Sequence, residues 1–256
     1  MSPDEADYSE IADVYDEARP SDSPHLEWWF QRLAKLGRLG PGKRLIDLGC
    51  GTGRWTIPLT ERTGCEAVGI DNSPGMLAKA REKAGNKRAT WALGDVQCLP
   101  VRPESFDCAL MSLMMHHLND HLTTFRGVCK ALRPGGIFLI RQGTLEQILN
   151  DAMHRFFPET VGIDLARTPL RAEIERWLKL AGFEQVRAEL VKQTTYASNH
   201  RLLTELRLRV CSALRMISDD AFYTGLRRAE THFRDHPDDD TLRQDLFTLF
   251  SARKPA

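Results

Sequence analysis

The chain has 256 residues, 42% hydrophobic and 27% charged, which is enough apolar material for one large globular domain with room for an appendage. Lys and Arg (35) balance Asp and Glu (35), so no net positive field draws the chain to phosphates or anionic lipid, and nucleic acid is disfavoured as a partner. The longest apolar stretches, such as residues 109–115, fall far short of the roughly 18 to 20 residues that span a bilayer. The acidic start MSPDEADYSE lacks the parts of a secretory signal, so a cytoplasmic location without a membrane span is expected.

In chain order, Ile11, Val14, Tyr15 and Ala18 recur at helical spacing, and Pro20 ends that run. Ser23 and Pro24 read as the start of a second helix, whose apolar stripe is Leu26, Trp29, Phe30, Leu33 and Leu36. From residue 44 the pattern changes to short apolar runs alternating with helical segments, as parallel βα units require. Strands are predicted at 44–48, 66–70, 90–93, 106–111 and 137–141. Helices are predicted near 54–62, 74–84, 120–132 and 145–156. A helix at 170–180 then leads to strands near 185–192 and 246–252. Between those two strands lies an Arg-rich insert, about 198–240, read as two helices with a solvated face. The cysteines at 50, 65, 98, 108, 129 and 211 contain no C-x-x-C pair and are read as reduced thiols.

The sharpest local signal is Asp47-Leu48-Gly49-Cys50-Gly51-Thr52-Gly53, placed between an apolar strand and a helix. Glycines let a backbone turn tightly and approach a ligand closely. Arg54 stands where the dinucleotide fingerprint counted from Gly49 needs its last glycine, and no Gly-Lys-Ser/Thr ending is present, so NAD and ATP both fit poorly. Asp71 ends the second strand, where an acid accepts hydrogen bonds from a ribose diol, and Asp95 closes the third at the same edge.

These segments resemble the class I S-adenosylmethionine-dependent methyltransferases, in the branch related to ubiquinone and menaquinone methyltransferases. The resemblance rests on DLGCGTG at 47–53, GIDNSPGMLAKA at 69–80, GDVQCLP at 94–100, SFDCALMSLMMHHL at 105–118 and ALRPGGIFLI at 131–140. It implies an α/β doubly wound (Rossmann-like) seven-stranded sheet with its last strand antiparallel. Residues 1–41 would form a helical lid, and 42–256 the methyltransferase domain carrying the insert. It also implies S-adenosyl-L-methionine as cofactor. Gly49, Cys50, Gly51 and Gly53 would underlie its methionine part, with Asp47 organising the amino group. Asp71 and Asn72 would bind the ribose, Met76 would pack on the adenine, and Asp95 with Val96 would read the adenine edge. Ser112 would flank the sulfonium, and Tyr15 would close over it from the lid.

On the acceptor side, His116 and His117 follow the fourth strand and are the candidate general bases. His117 and His121 have the i, i+4 spacing of zinc ligands, but with no further ligand in sight a metal site is not expected. Trp29 belongs to the apolar stripe of its helix, whereas Trp28 lies off it and is the candidate pocket residue; Arg141 and Gln142 end the fifth strand at the ligand edge. The expected activity is methyl transfer to a small-molecule acceptor by a monomer or homodimer. An RNA-modifying enzyme and a cofactor-binding regulatory partner are the alternatives.

Overall fold

The computed structural model describes residues 12–18, 25–85, 88–148 and 152–256. The expected stop at Pro20, the helix start at Ser23 and Pro24, and Ile11 lie outside the described residues. Helices α1 (Ala12–Ala18) and α2 (Leu26–Leu36) precede the sheet, and α2 buries Leu26, Trp29, Phe30 and Leu33 as its stripe predicts. There follow β1 (Arg44–Leu48), α3 (Thr56–Thr63), β2 (Glu66–Asp71), α4 (Pro74–Lys83), β3 (Ala89–Leu93), β4 (Phe106–Ser112), α5 (His121–Ala131) and β5 (Leu132–Gln142). Local chemistry sets the helix starts. The Ser73 hydroxyl accepts from the Met76 amide at 3.3 Å with Pro74 at the first helical position, and Asp120 accepts from Thr123 at 2.9 Å.

The sheet order is β3-β2-β1-β4-β5-β7-β6, with β1 to β5 parallel and the last-formed strand antiparallel to both of its neighbours. The order reverses between β1 and β4, where ligands of doubly wound sheets bind at the carboxyl ends. Register places Leu48 beside both Ile70 and Met111, so the loops after β1, β2 and β4 open at one edge.

Beyond β5 the chain forms α6 (Leu145–Ile148), α7 (Thr160–Arg167), α8 (Arg171–Leu180), β6 (Glu184–Thr194), α9 (Asn199–Arg207), α10 (Ser212–Met216), α11 (Asp219–Asp235) and β7 (Gln244–Arg253). Two expectations are corrected. Helix α7 had no counterpart in the sequence pattern, because Thr160, Gly162 and Asp164 are weak helix formers. The insert holds three helices, not two, because Arg209 adopts a left-handed φ of 51°. Its guanidinium then ties the corner, donating to the carbonyls of Leu214 and Ile217 and to Asp219. No glycine or proline marks that break.

Each sheet face carries a core, one centred on Phe125, Phe138 and Phe250 and the other on Trp29, Leu33 and Leu45. The insert adds a third, in which Phe156 and Phe157 pack with Leu202, Leu206, Phe222 and Phe233. The expected solvated face therefore covers a real core. Gly225 of α11 sits where that core is tightest: a Cβ there would stand 2.3 Å from the Phe157 ring and 2.8 Å from the Phe156 carbonyl oxygen. Helix propensity favours alanine by about 1 kcal/mol, but overpacking costs about 1–3 kcal/mol and a backbone carbonyl cannot swing aside. Gly225→Ala is thus expected to lower stability in urea unfolding, and a stabilised variant would contradict this packing.

Candidate active site

The loop after β1 is held by hydrogen bonds to the next strand. Gly49 and Cys50 both donate to the Ile70 carbonyl, at 2.8 and 3.0 Å, and the Gly51 amide donates to the Asp71 carboxylate at 2.8 Å. The other Asp71 oxygen accepts from Ser73 at 2.9 Å. Burial raises the Asp71 carboxyl above its usual range, opposed by these amides. Beneath the loop, Asp47 is buried and accepts from the Thr56 hydroxyl at 2.5 Å. Burial pushes Asp47 up to about 7; the Thr56 hydrogen bond opposes that rise and the nearby Asp71 charge adds to it. The Cys50 thiol is raised far above its ordinary value, chiefly by burial, and is no thiolate at neutral pH.

Helix α1 is latched onto this loop. The buried Thr52 hydroxyl donates to Asp16 at 2.7 Å, and Lys83 reaches the other Asp16 oxygen at 2.6 Å. Arg201 of α9 donates to the Glu17 carbonyl, so the same helix also touches the insert. Between loop, latch and insert lies a cavity of about 360 Å³. Its floor is Gly49, Cys50, Gly51, Ser112 and His116; Tyr15, Trp29, Arg141 and Gln142 form its sides; Asp164, Tyr196, Glu205 and Ser212 roof it.

The two candidate histidines separate. His116 lines the cavity, while His117 stands outside that lining with its ring 4.1 Å from the His116 ring. Burial, with the positive charge of Arg167, lowers His117 to about 4, so it is neutral at physiological pH. His121 stacks on Trp177 at 4.4 Å, which makes it a packing group. Among the described residues no three His, Cys, Asp or Glu side chains are grouped to hold a metal.

Tyr15, Gly49, Cys50, Gly51, Ser112 and His116 are thus brought to one cavity. Asp71, Asn72, Met76, Asp95 and Val96 lie outside its lining, at the carboxyl ends of β2 and β3. Asn72 and Asp95 are exposed, Met76 is buried, and Asp95 caps a short 3-10 turn by accepting from Gln97 at 2.8 Å. Trp28 is exposed and outside the cavity; Trp29 takes the place expected of it, donating its indole N–H to Gln193 of β6 at 2.5 Å. Asp164, Arg167, Gln193, Tyr196 and Glu205 were not singled out as site residues from the sequence. They come from separate segments, and no local spacing connects them.

Residues 45–136 match the family model described as a methyltransferase domain. The chain is 28% identical over 184 residues to the malonyl-[acyl-carrier protein] O-methyltransferase of Serratia marcescens, covering 69% of this chain and 61% of that protein. It is 33% identical over 112 residues to a demethylmenaquinone methyltransferase of Staphylococcus aureus, covering 43% and 46%. The chain therefore spans about half to three-fifths of these relatives. The Haemonchus contortus phosphoethanolamine N-methyltransferase 2 shares its fold, with a TM-score of 0.68 and 23% identity over 97% of this chain and 58% of that one. Residues 45–136 are thus similar to a methyltransferase domain, and the sheet around them has the fold of a solved methyltransferase. The residues at the head of the sheet fit S-adenosylmethionine, the cofactor that the resemblance implies. Gly51, at φ 52°, has nothing within 4 Å of where a Cβ would stand, so the loop borders open space. Both Asp71 oxygens are held by backbone amides, and with roughly four lone-pair sites the carboxylate has room for a further donor.

The raised carboxyl of Asp47 has a measurable consequence. Its folded pKa of about 7 exceeds its value of about 3.9 in the unfolded chain, so the native state holds a proton that the unfolded chain has released between those limits. Its contribution to stability is full below about pH 4 and is lost as pH rises toward 7. His117 titrates with the opposite slope, which cancels when Asp47→Asn is compared with the parent. The variant's stability relative to the parent is expected to rise from pH 4 to 7, by at most roughly 4 kcal/mol, and then level off. A pH-independent difference in chemical denaturation would refute the assignment.

Proposed function

We propose that this protein transfers a methyl group from S-adenosylmethionine to a small-molecule acceptor in the cavity bordered by Ser112 and His116, and that it works in the cytoplasm. The observation that carries this reading is the cavity itself, which runs from the glycine loop to a roof supplied by the insert. Bound S-adenosylmethionine presents an electrophilic methyl on a sulfonium. The side chains then have three tasks: alignment, exclusion of water and, for a protonated nucleophile, removal of a proton.

Asp71 and Asn72 bind the ribose in this reading, Met76, Asp95 and Val96 the adenine, and Asp47 the amino group. The exposure of Asn72 and Asp95 supports an open groove for the adenosine end, in contrast with the roofed methionine end. His116 faces the acceptor and holds the proton where one must leave; neutral, half-buried His117 supports its ring. An RNA substrate is not favoured. Of the insert arginines, Arg207 pairs with Glu230, Arg209 with Asp219 and Arg234 with Asp235, so the charge of these three is compensated. Among the described residues, no helix is long and apolar enough to cross a membrane.

The test is calorimetry with S-adenosylmethionine, S-adenosylhomocysteine, NAD and ATP, followed by methyl-labelled turnover on acceptor classes. The two S-adenosyl compounds are expected to bind and the other two not; tighter binding of NAD would overturn the reading. Asp71→Ala is expected to weaken cofactor binding by about 1–3 kcal/mol, because hydroxyl partners and the anchor of Gly51 are lost together. His116→Ala is expected to cost about 10²- to 10⁴-fold in turnover at nearly unchanged cofactor affinity, whereas His117→Ala should appear in melting temperature. Normal turnover of His116→Ala removes proton transfer from the mechanism and leaves alignment alone.

A further inference from the structure

Helix α9 sends one carboxylate into the roof of the cavity. Glu205 is 8% exposed, lies between the buried Leu202 and Leu206, and lines the same cavity as Ser112 and His116. Among the described residues it makes no hydrogen bond or ion pair. Its default partner on the helix would be Arg201, four positions before it, and the next arginine past the helix end is Arg209. Both are turned elsewhere: Arg201 donates to the Glu17 carbonyl, and Arg209 to Leu214, Ile217 and Asp219.

The cations that line the cavity have neighbours other than Glu205. Arg167 donates to Asp164 at 2.9 Å, the Arg141 guanidinium stands 3.8 Å from the Phe247 ring centre and 4.8 Å from that of Trp29, and Arg54 has contacts of its own. A buried carboxylate left without a cation is poorly solvated when ionised. Glu205 therefore faces the cavity as an acceptor of charge that nothing in its own surroundings supplies. A ligand cation is the partner its chemistry calls for.

We propose that Glu205 is the cation-recognition residue of the acceptor site, and that the acceptors are amines bound through their ammonium group. The proposal rests on the cavity being the acceptor site and concerns recognition, not the atom that receives the methyl. The cofactor also carries an ammonium group, so the two sources of cation must be separated. Asp47 under the glycine loop already stands where the cofactor's amino group is read, and Glu205 belongs to the opposite, insert side of the cavity.

The experiment is calorimetry on the full chain saturated with S-adenosylhomocysteine. The probes are phenethylamine and N-methylphenethylamine, each beside its neutral alcohol or ether isostere. The parent protein is expected to prefer the amines. Glu205→Gln should weaken amine binding at least tenfold, leave the isosteres unchanged and keep S-adenosylmethionine affinity within twofold. Glu205→Asp, which retains the charge, should restore part of the amine preference. Without ligand, Glu205→Gln should melt no lower than the parent, because no ion pair or hydrogen bond within the protein is lost.

Equal amine binding by parent and Glu205→Gln overturns the proposal, as does a parent that binds no amine. A loss confined to S-adenosylmethionine affinity overturns it too, since the cation would then be the cofactor's own. Binding with S-adenosylhomocysteine needs no transfer. Glu205-dependent amine binding without labelled product would leave this inference standing while the methyl-transfer reading fell. Labelling of neutral acceptors independent of Glu205 would do the reverse.

Discussion

Three hydrogen bonds join the loop after β1 to the end of β2, and the one to a side chain runs from the Gly51 amide to the Asp71 carboxylate. It requires a carboxylate at a strand terminus, facing a backbone that turns through left-handed conformations at Gly49, Gly51 and Gly53. With both Asp71 oxygens engaged on amides, the loop is pinned before any ligand arrives, so little ordering remains to oppose binding. The cost is a second carboxylate, Asp47, buried below the loop and sharing a low-dielectric region with the first. Two acids close together at the head of the sheet are hard to ionise together, and a cationic ligand relieves that repulsion.

Around this head the protein closes by crossing over itself. Asp16 of α1 grips Thr52 and Lys83, Trp29 of α2 reaches Gln193 of β6, and Arg32 of α2 pairs with Glu189 on the same strand. The sides of the cavity are therefore made of segments more than 150 residues apart. Arg141 illustrates the result: a guanidinium surrounded by the rings of Phe247, Trp29 and Trp55, stabilised by π faces contributed from three elements.

Local sequence chemistry accounts for the half that holds the cofactor. The run at 44–48 is β1 residue for residue, the loop at 49–53 sits where its glycines imply, and the acids at 47, 71 and 95 stand at strand ends because strand length and alternation put them there. The half beneath the insert was illegible for a different reason. Gln193 reaches Trp29 only because β6 runs on past Lys192 through polar residues that give no apolar signal. Arg201, Arg207 and Arg209 read as a charge run, yet they serve as a strut, a surface pair and a corner clamp. The importance of Glu205 appears only when its neighbours' partners are known, which spacing along one helix cannot supply.

The third hydrophobic core gives the roof of the cavity its own foundation. Leu202 and Leu206, which flank Glu205, pack with Phe156, Phe157 and Phe222 and not with the residues of either sheet face. Substitutions that reshape the roof are absorbed within that cluster, and effects at well-separated sites of this kind are close to additive. The helices of the roof can therefore be repacked with little disturbance to the sheet, whose glycine loop is held by its own hydrogen bonds.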